Sequence, residues 1–94
     1  MADTEQAPSE LLELRIYVAG RTPNSALALA NLESLLTGRS HRLEVIDVLA
    51  DPDLALDEGI HVTPTLVRLA PAPETRIIGS LGNTARAKAA LGLP

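Results

Sequence analysis

The stretch YVAGRTPNSALALANL, residues 17–32, passes from an apolar strand through a tight turn into a helix. Thr22 lies at the N-cap position and Pro23 at the first helical position, which is the favoured order for starting a helix. Leucines recur at helical spacing after this start, and Gly38 follows as the residue that ends the helix. The stretch therefore predicts a strand, a turn and a helix at the beginning of an α/β domain.

The turn at residues 20–25 lies where many small α/β proteins carry a cysteine pair, a phosphate cradle or a nucleophile. The chain has no cysteine, which excludes disulfides, thiolate catalysis and zinc sites that use sulfur. The turn also lacks the GxxxxGK[ST] spacing of a nucleotide-binding loop. A helix N-terminus beside Arg21 could hold an anion, but a well-capped helix start is the favoured interpretation.

Length and composition limit the remaining function classes. A chain of 94 residues forms one domain, and its hydrophobic fraction of 46% is ordinary for a globular protein. The net charge of −4 and the single aromatic residue, Tyr17, argue against a nucleic-acid partner. No apolar run approaches the roughly 20 residues of a membrane span, and the start has no signal-peptide pattern. We expect a cytoplasmic protein without a membrane partner.

The rest of the chain alternates between strand-like and helix-like segments. We predict a disordered leader over residues 1–10 and one folded domain over residues 11–94. The central Val45-Ile46 of the second strand does not alternate with polar residues, which predicts burial on both faces. The predicted elements are strand 11–19, helix 23–37, strand 42–49, helix 51–58, strand 60–69 and strand 76–81, followed by the tail.

The tail NTARAKAALGLP, residues 83–94, fits two structures. As a helix it has Asn83 as its cap, alanines of high helix propensity, and Gly92 and Pro94 as stop signals. As a strand, its alanines would alternate with Arg86 and Lys88. Helix is favoured because alanine is a poor strand former. The order β-α-β-α-β-β-α, with a parallel first pair and an antiparallel last pair of strands, is that of the thioredoxin-like fold.

Four segments carry a resemblance to a known family. LRIYVAGRTPNS, VIDVL followed by Pro52, TPTLVRL and RIIGSLGN resemble, in order and spacing, the KaiB family of circadian clock proteins. The resemblance covers residues 12–92. It implies a non-enzymatic protein, without catalytic, cofactor or metal residues, that binds the ring of a KaiC-type, RecA-like ATPase. It also implies opposition to a KaiA-like protein and competition with the N-terminal domain of a clock histidine kinase.

The resemblance further implies that the chain has two folds. One is a ground state, usually a homotetramer, in which the C-terminal half pairs differently, and the other is a thioredoxin-like monomer that binds the ATPase. Ala90 stands where the family pattern has glycine, which favours the helical tail by about 1 kcal/mol. The family and the fold together imply that the Thr63-Pro64 peptide bond is cis, since cis bonds are uncommon before proline in general. The residues assigned to fold and switching are Gly20, Pro23, Asn24, Thr63, Pro64, Pro71, Pro73, Gly79 and Ala90.

Three arginines are the candidates for contacts to an acidic partner surface. Arg68 and Arg76 match positions that are basic in the family, and Arg15 lies on the first strand. Arginine is enriched at interface hot spots. Glu44, in contrast, stands where the family pattern has a basic residue, which argues against sequestration of a KaiA-like protein. The interpretation of Asp47 stays open between a buried hydrogen-bonding carboxylate and a surface contact.

The remaining polar residues predict no further site. Asp51, Asp53, Asp57 and Glu58 miss the spacing of a calcium loop and are expected to cap and solvate a helix. His41 and His61 lie far apart and have no triad or HExxH arrangement. Two alternative functions stay open at this point. One is a free-standing sensor or adaptor that docks on a histidine kinase or stress-signalling protein, and the other is a cysteine-free relative of glutathione-using enzymes.

Overall fold

The computed structural model describes residues 11–93, so the predicted leader and Pro94 lie outside the described residues. The predicted order β-α-β-α-β-β-α is confirmed. Among residues 11–93 no helix is both long and apolar enough to span a bilayer. The elements are β1 (Leu12–Val18), α1 (Pro23–Leu36), β2 (His41–Asp47), α2 (Pro52–Asp57), β3 (Thr65–Ala70), β4 (Thr75–Ile78) and α3 (Thr84–Leu91).

The four strands form one sheet in the order β2-β1-β3-β4. β1 runs parallel to β2 and antiparallel to β3, and β4 runs antiparallel to β3. The predicted thioredoxin-like pairing is therefore present in both halves of the chain. Because of these directions, the ends of β1, β2 and β4 and the start of β3 lie at the same end of the sheet. The turn at residues 20–25 is at this end, which we call the turn end.

The alternation of β1 divides the core into two parts. Its even-numbered side chains pack with α1 and α3 on one face of the sheet, which we call the helix-pair face. Tyr17 points to the other face, where it packs with Ile46, Val67 and Ala55 of α2. We call this second face the α2 face. Since α2 has only six residues, it covers a small part of that face. The core residues of the helix-pair face are Leu12, Leu14, Ile16, Val18, Ala28, Leu32, Leu36, Leu66, Ile77, Leu81, Ala87 and Leu91.

The predicted burial of β2 on both faces is wrong. Ile46 is buried, but Val45 is 50% exposed. β2 is an edge strand with a neighbour on one side only, and the side chains of an edge strand extend beyond the helices that cover the centre of the sheet. A short apolar run in the sequence does not distinguish a central strand from an edge strand.

The third and fourth strands are shorter than predicted. β3 begins at Thr65 rather than at Ile60, because residues 60–64 form a loop that contains the cis Thr63–Pro64 peptide. β4 ends at Ile78 rather than at Leu81, because Gly79 adopts a φ of +111° and Leu81 a φ of +65°, which are not strand conformations. The start of β3 and the end of β4 depend on backbone angles, which the pattern of apolar residues in the sequence does not indicate.

The tail is helical, as favoured. The Asn83 side chain accepts a hydrogen bond from the Arg86 N–H at 3.0 Å, and Gly92 ends the helix in the left-handed conformation at a φ of +75°. Asp51 occupies the N-cap position of α2, as predicted, but its side chain forms no capping hydrogen bond to the helix. Thr22 occupies the N-cap position of α1, but its hydroxyl bonds to Ser25 rather than to the helix backbone.

Candidate partner-binding surface

The turn between β1 and α1 is held from the neighbouring strand by Asp47. One carboxylate oxygen of Asp47 accepts hydrogen bonds from the N–H of Gly20 at 3.0 Å and from the N–H of Leu49 at 2.9 Å. The left-handed conformation of Gly20, with a φ of +55°, favours glycine at this position. The structure thus assigns Asp47, whose role the sequence left open, to holding two loops together at the turn end.

Ser25 holds the same turn from inside the molecule, a role that we did not predict from the sequence. Its side chain is fully buried, and its hydroxyl oxygen accepts hydrogen bonds from the Ala19 N–H at 3.1 Å and from the Thr22 hydroxyl at 2.9 Å. The only sequence signal is a hydroxyl residue three positions after Thr22 at a helix start. Pro23 and Asn24, between them, are exposed. The turn is therefore held by hydrogen bonds to Ser25 and to Asp47, while Pro23 and Asn24 face solvent.

The predicted cis proline lies at the same end of the sheet. The Thr63–Pro64 bond is cis, as predicted, and Pro64 is buried. The carbonyl of Pro64 accepts a hydrogen bond from the N–H of Gly79 at 2.9 Å, which joins two of the residues assigned to the fold. Pro71 and Pro73 lie in the exposed turn between β3 and β4, and their preceding peptide bonds are also cis.

Arg15 lies on the α2 face in a short chain of polar contacts. Its Nε is 3.0 Å from Glu44 on β2, and its Nη1 donates to the Tyr17 hydroxyl at 3.4 Å. The hydrogen bond to Tyr17 and the neighbouring Glu44 carboxylate raise the pKa of the Arg15 guanidinium, although partial burial opposes them. Arg15 is a cation at physiological pH, as arginine is in proteins generally. Its charge is already paired, as is usual for opposite charges on adjacent strands.

Arg76 also lies on the α2 face, in line with Arg15 across the sheet. Arg15 pairs with Val67, and Val67 pairs with Arg76, so the three side chains project from the same face. The Arg76 guanidinium donates to the carbonyls of Glu58 at 2.6 Å and Gly59 at 3.3 Å, just after α2. Arg76 thus connects the edge strand β4 to the end of α2 while it remains exposed.

Arg68 projects from the opposite face and is partly buried. Its guanidinium donates to the carbonyl of Ala90 in α3 at 2.9 Å, to the carbonyl of Pro73 at 3.0 Å and to the Thr75 hydroxyl at 3.1 Å. Its Nε is buried and has no hydrogen-bond partner among the described residues. The structure brings Arg15 and Arg76 to one face and separates Arg68 from them.

Exposed apolar side chains, which we did not predict from the sequence as part of a site, also occur near the turn end. Leu49 is 71% exposed, Leu56 72% and Val62 48%. Leu49 lies directly over the turn, since its Cδ1 would be 3.3 Å from a Cβ added to Gly20. Isolated exposed apolar residues are common, but these three come from the segment after β2, from α2 and from the loop before β3. They are exposed apolar positions on the chain segment that connects β2 to β3.

The acidic residues and the histidines form no metal-binding cluster and no shared hydrogen-bond network in the described part of the chain. In residues 11–93 no three His, Asp or Glu side chains come together closely enough to hold a metal ion. The Nδ1 of His41 lies 2.9 Å from the carbonyl of Arg39, and no hydrogen bond links it to His61. The arrangement at the turn end supplies a rigid surface with charged and apolar side chains. It supplies no nucleophile with an adjacent base among these residues.

Three comparisons connect the chain to known proteins. The KaiB domain family matches residues 15–93. The "Circadian clock oscillator protein KaiB" of Thermostichus vulcanus is 47% identical over 83 residues, which cover 85% of this chain and 75% of the relative. The solution structure of the N-terminal domain of Synechococcus elongatus SasA is similar with a TM-score of 0.70 and 25% identity, covering 85% of this chain and 79% of that domain. Mitochondrial thioredoxin 3 of Saccharomyces cerevisiae, at 20% identity and a TM-score of 0.71, covers 98% of this chain and 89% of its own, and shows the shared fold.

Proposed function

The chain belongs to the KaiB family, and from that membership we propose that it regulates a KaiC-type, RecA-like ATPase by binding to it. In this proposal the chain has no catalytic activity and modulates the ATPase or phosphorylation state of its partner. The observation that carries the proposal is the family match over residues 15–93, together with the 47% identity to a named clock oscillator protein. The chain has no cysteine, so the thiol chemistry of thioredoxins is not available to it.

We propose that the partner contacts the α2 face near the turn end. Leu49, Leu56 and Val62, on the segments that connect β2 to β3, supply exposed apolar area. Arg76 supplies an exposed positive charge, whereas the charge of Arg15 is paired with Glu44. Interfaces commonly combine a small apolar centre with arginine and a polar rim. Arg68 supports this surface indirectly. Its guanidinium bonds to α3 and to the β3–β4 turn within the chain, so it is not directed toward a partner.

We also propose that the described thioredoxin-like state is the binding state, and that a homotetrameric ground state with a different C-terminal half exists beside it. The residues of the second half that would change their pairing are those of β3, β4 and α3. Ala90 lies inside α3, where a glycine would weaken the helix. This supports a population that is shifted toward the thioredoxin-like state in this chain.

A second candidate is a free-standing adaptor that docks on a histidine kinase or stress-signalling protein. The observation behind it is the similarity to the N-terminal domain of SasA, which shows that this fold is used in another protein besides the KaiB relatives. A KaiA-like protein is a weaker candidate partner, because Glu44 places a negative charge on the edge strand β2 and pairs with Arg15.

Affinity capture from a lysate of the source cells, with ATP and then with ADP, distinguishes the candidates. We expect a RecA-like ATPase whose recovery depends on the nucleotide. The same capture is repeated with the double variant Leu49→Ser/Val62→Ser, which changes two exposed side chains of the proposed interface. This variant should fold like the original chain and recover less of the ATPase. Recovery of a kinase instead of an ATPase would contradict the proposed ATPase partner and support the second candidate, the adaptor that docks on a histidine kinase.

A further inference from the structure

A groove on the other side of the molecule has no part in the surface described above. It lies between α1 and α3 on the helix-pair face and encloses about 440 Å³. Three of its lining residues are apolar and form what we call the leucine floor: Leu81 is buried, and Leu35 and Leu93 are half-buried against the core. The uncharged polar residues that line it are Asn31, Ser34, Thr37 and Thr84. The rim carries Arg39 after the end of α1 and Lys88 in the last turn of α3. We call it the α1–α3 groove.

The charge of this groove is one-sided. Arg39 and Lys88 are the charged residues that line it, and both are exposed cations. Neither forms an ion pair with another residue in the range 11–93. The whole chain has a net charge of −4, with 12 acidic and 8 basic residues. A groove with two unpaired cations and no acidic lining residue is therefore opposite in sign to the molecule as a whole.

The helical walls of the groove favour a helical partner segment over an extended one. Both walls are helices, whose backbone groups are used inside the helix, so an extended peptide finds no strand edge to pair with here. An amphipathic helix needs only side-chain contacts and places apolar residues at intervals of three and four against a hydrophobic groove. Leu35, Leu81 and Leu93 provide the floor for such residues, and Arg39 and Lys88 lie where carboxylates on the flank of a bound helix would be.

We propose that the α1–α3 groove binds an acidic amphipathic helix of a partner protein. The apolar side of that helix packs on the leucine floor, and its Asp or Glu side chains pair with Arg39 and Lys88. This surface is separate from the α2 face, so it allows a second partner to be held while the first is bound. The inference goes beyond the proposed binding of an ATPase and does not depend on it.

The test uses a fluorescein-labelled peptide of about 18 residues, five turns of helix, with Leu on one face and Glu on the other. Fluorescence anisotropy measures its binding to the full chain at low and at high salt. We expect saturable binding that weakens as salt rises, because exposed charge pairs are screened. A peptide with Lys in place of Glu should not bind. Lys88→Glu and Arg39→Glu should each lower the affinity about tenfold, and Arg21→Glu, at the opposite end of α1, should leave it unchanged.

Methyl NMR spectra of the complex identify where the peptide lies. Shifts confined to Leu35, Leu81 and Leu93 support the proposal, and shifts at Leu43 and Val45 on β2 would overturn it. Unchanged affinity in both charge-reversal variants would overturn it as well.

Two other occupants are also tested. Self-association that Lys88→Glu abolishes would assign the groove to a second copy. Tighter peptide binding in the full chain with Asp3→Asn, Glu5→Gln and Glu10→Gln would assign it to the chain's own acidic start.

Discussion

The guanidinium of Arg68 on β3 donates a hydrogen bond to the carbonyl oxygen of Ala90 in α3, with an Nη1–O distance of 2.9 Å. The two residues are 22 positions apart. Arg68 was a candidate for contacting a partner and Ala90 a candidate for fold switching, and the structure joins them in a single contact. A cation at the C-terminal end of a helix also interacts favourably with the helix dipole. This contact fastens the last helix to the sheet.

Arg68→Ala should destabilise the thioredoxin-like state by about 2 kcal/mol, because hydrogen bonds to Ala90, Pro73 and Thr75 are lost together and partly buried acceptors are left unpaired. Urea unfolding followed by circular dichroism measures the change. Arg86→Ala is the control, since Arg86 is an exposed arginine of α3, the helix that Arg68 contacts. Equal stability of the two variants would show that the Arg68 contacts contribute nothing.

Ala90→Gly should weaken α3 by about 1 kcal/mol, because glycine loses more backbone freedom than alanine inside a helix. If the chain has the proposed second fold, the substitution shifts the population toward it, since α3 belongs to the half that changes. Sedimentation measures the oligomer fraction, and NMR measures the helical signals of residues 84–91. The control is Ala85→Gly, at an exposed position at the start of α3. It also lowers the helix propensity, but its carbonyl accepts no hydrogen bond from Arg68.

Asp47→Ala should loosen the turn end, because the N–H groups of Gly20 and Leu49 lose their common acceptor. We expect a loss of about 1–3 kcal/mol, the usual cost of unpaired partly buried donors. Asp47→Asn keeps an acceptor oxygen in the same position and should lose less. Hydrogen exchange of the Gly20 and Leu49 amides is the local readout. Equal protection in the alanine and asparagine variants would contradict the role given to this carboxylate.

Arg76→Glu should lower both stability and partner affinity, rather than affinity alone. The variant loses the hydrogen bonds to Glu58 and Gly59 and places its new charge near Glu74. Arg76→Lys keeps the charge but not the two-pronged geometry, so it separates the two effects. If Arg76→Lys retains affinity while its unfolding midpoint falls, the charge serves the partner and the hydrogen bonds serve the fold.

The local patterns of the sequence predicted most of the fold. The strand, turn and helix over residues 11–37 follow from apolar spacing and from the Thr22-Pro23 start, which are properties of neighbouring residues. The predicted start of β3 and the predicted end of β4 were wrong because the loop at residues 60–64 and the left-handed Gly79 and Leu81 interrupt apolar runs without changing their hydrophobicity.

The site was harder to predict because its contacts are distant in sequence. Asp47 reaches Gly20 across 27 positions, and Arg76 reaches Glu58 across 18. Residue type and family position identified the arginines, but only the strand register shows that Arg15 and Arg76 share a face and that Arg68 does not. Ser25 was missed since a buried serine in a helix start looks like an ordinary polar residue.

The most direct test of the account is light scattering on the purified chain mixed with the RecA-type ATPase of its own cells, separated by size-exclusion chromatography with ATP and with ADP. The account predicts a complex whose amount depends on the nucleotide and falls in the Leu49→Ser/Val62→Ser variant. Two proteins that elute separately with both nucleotides would contradict binding to a KaiC-type ATPase.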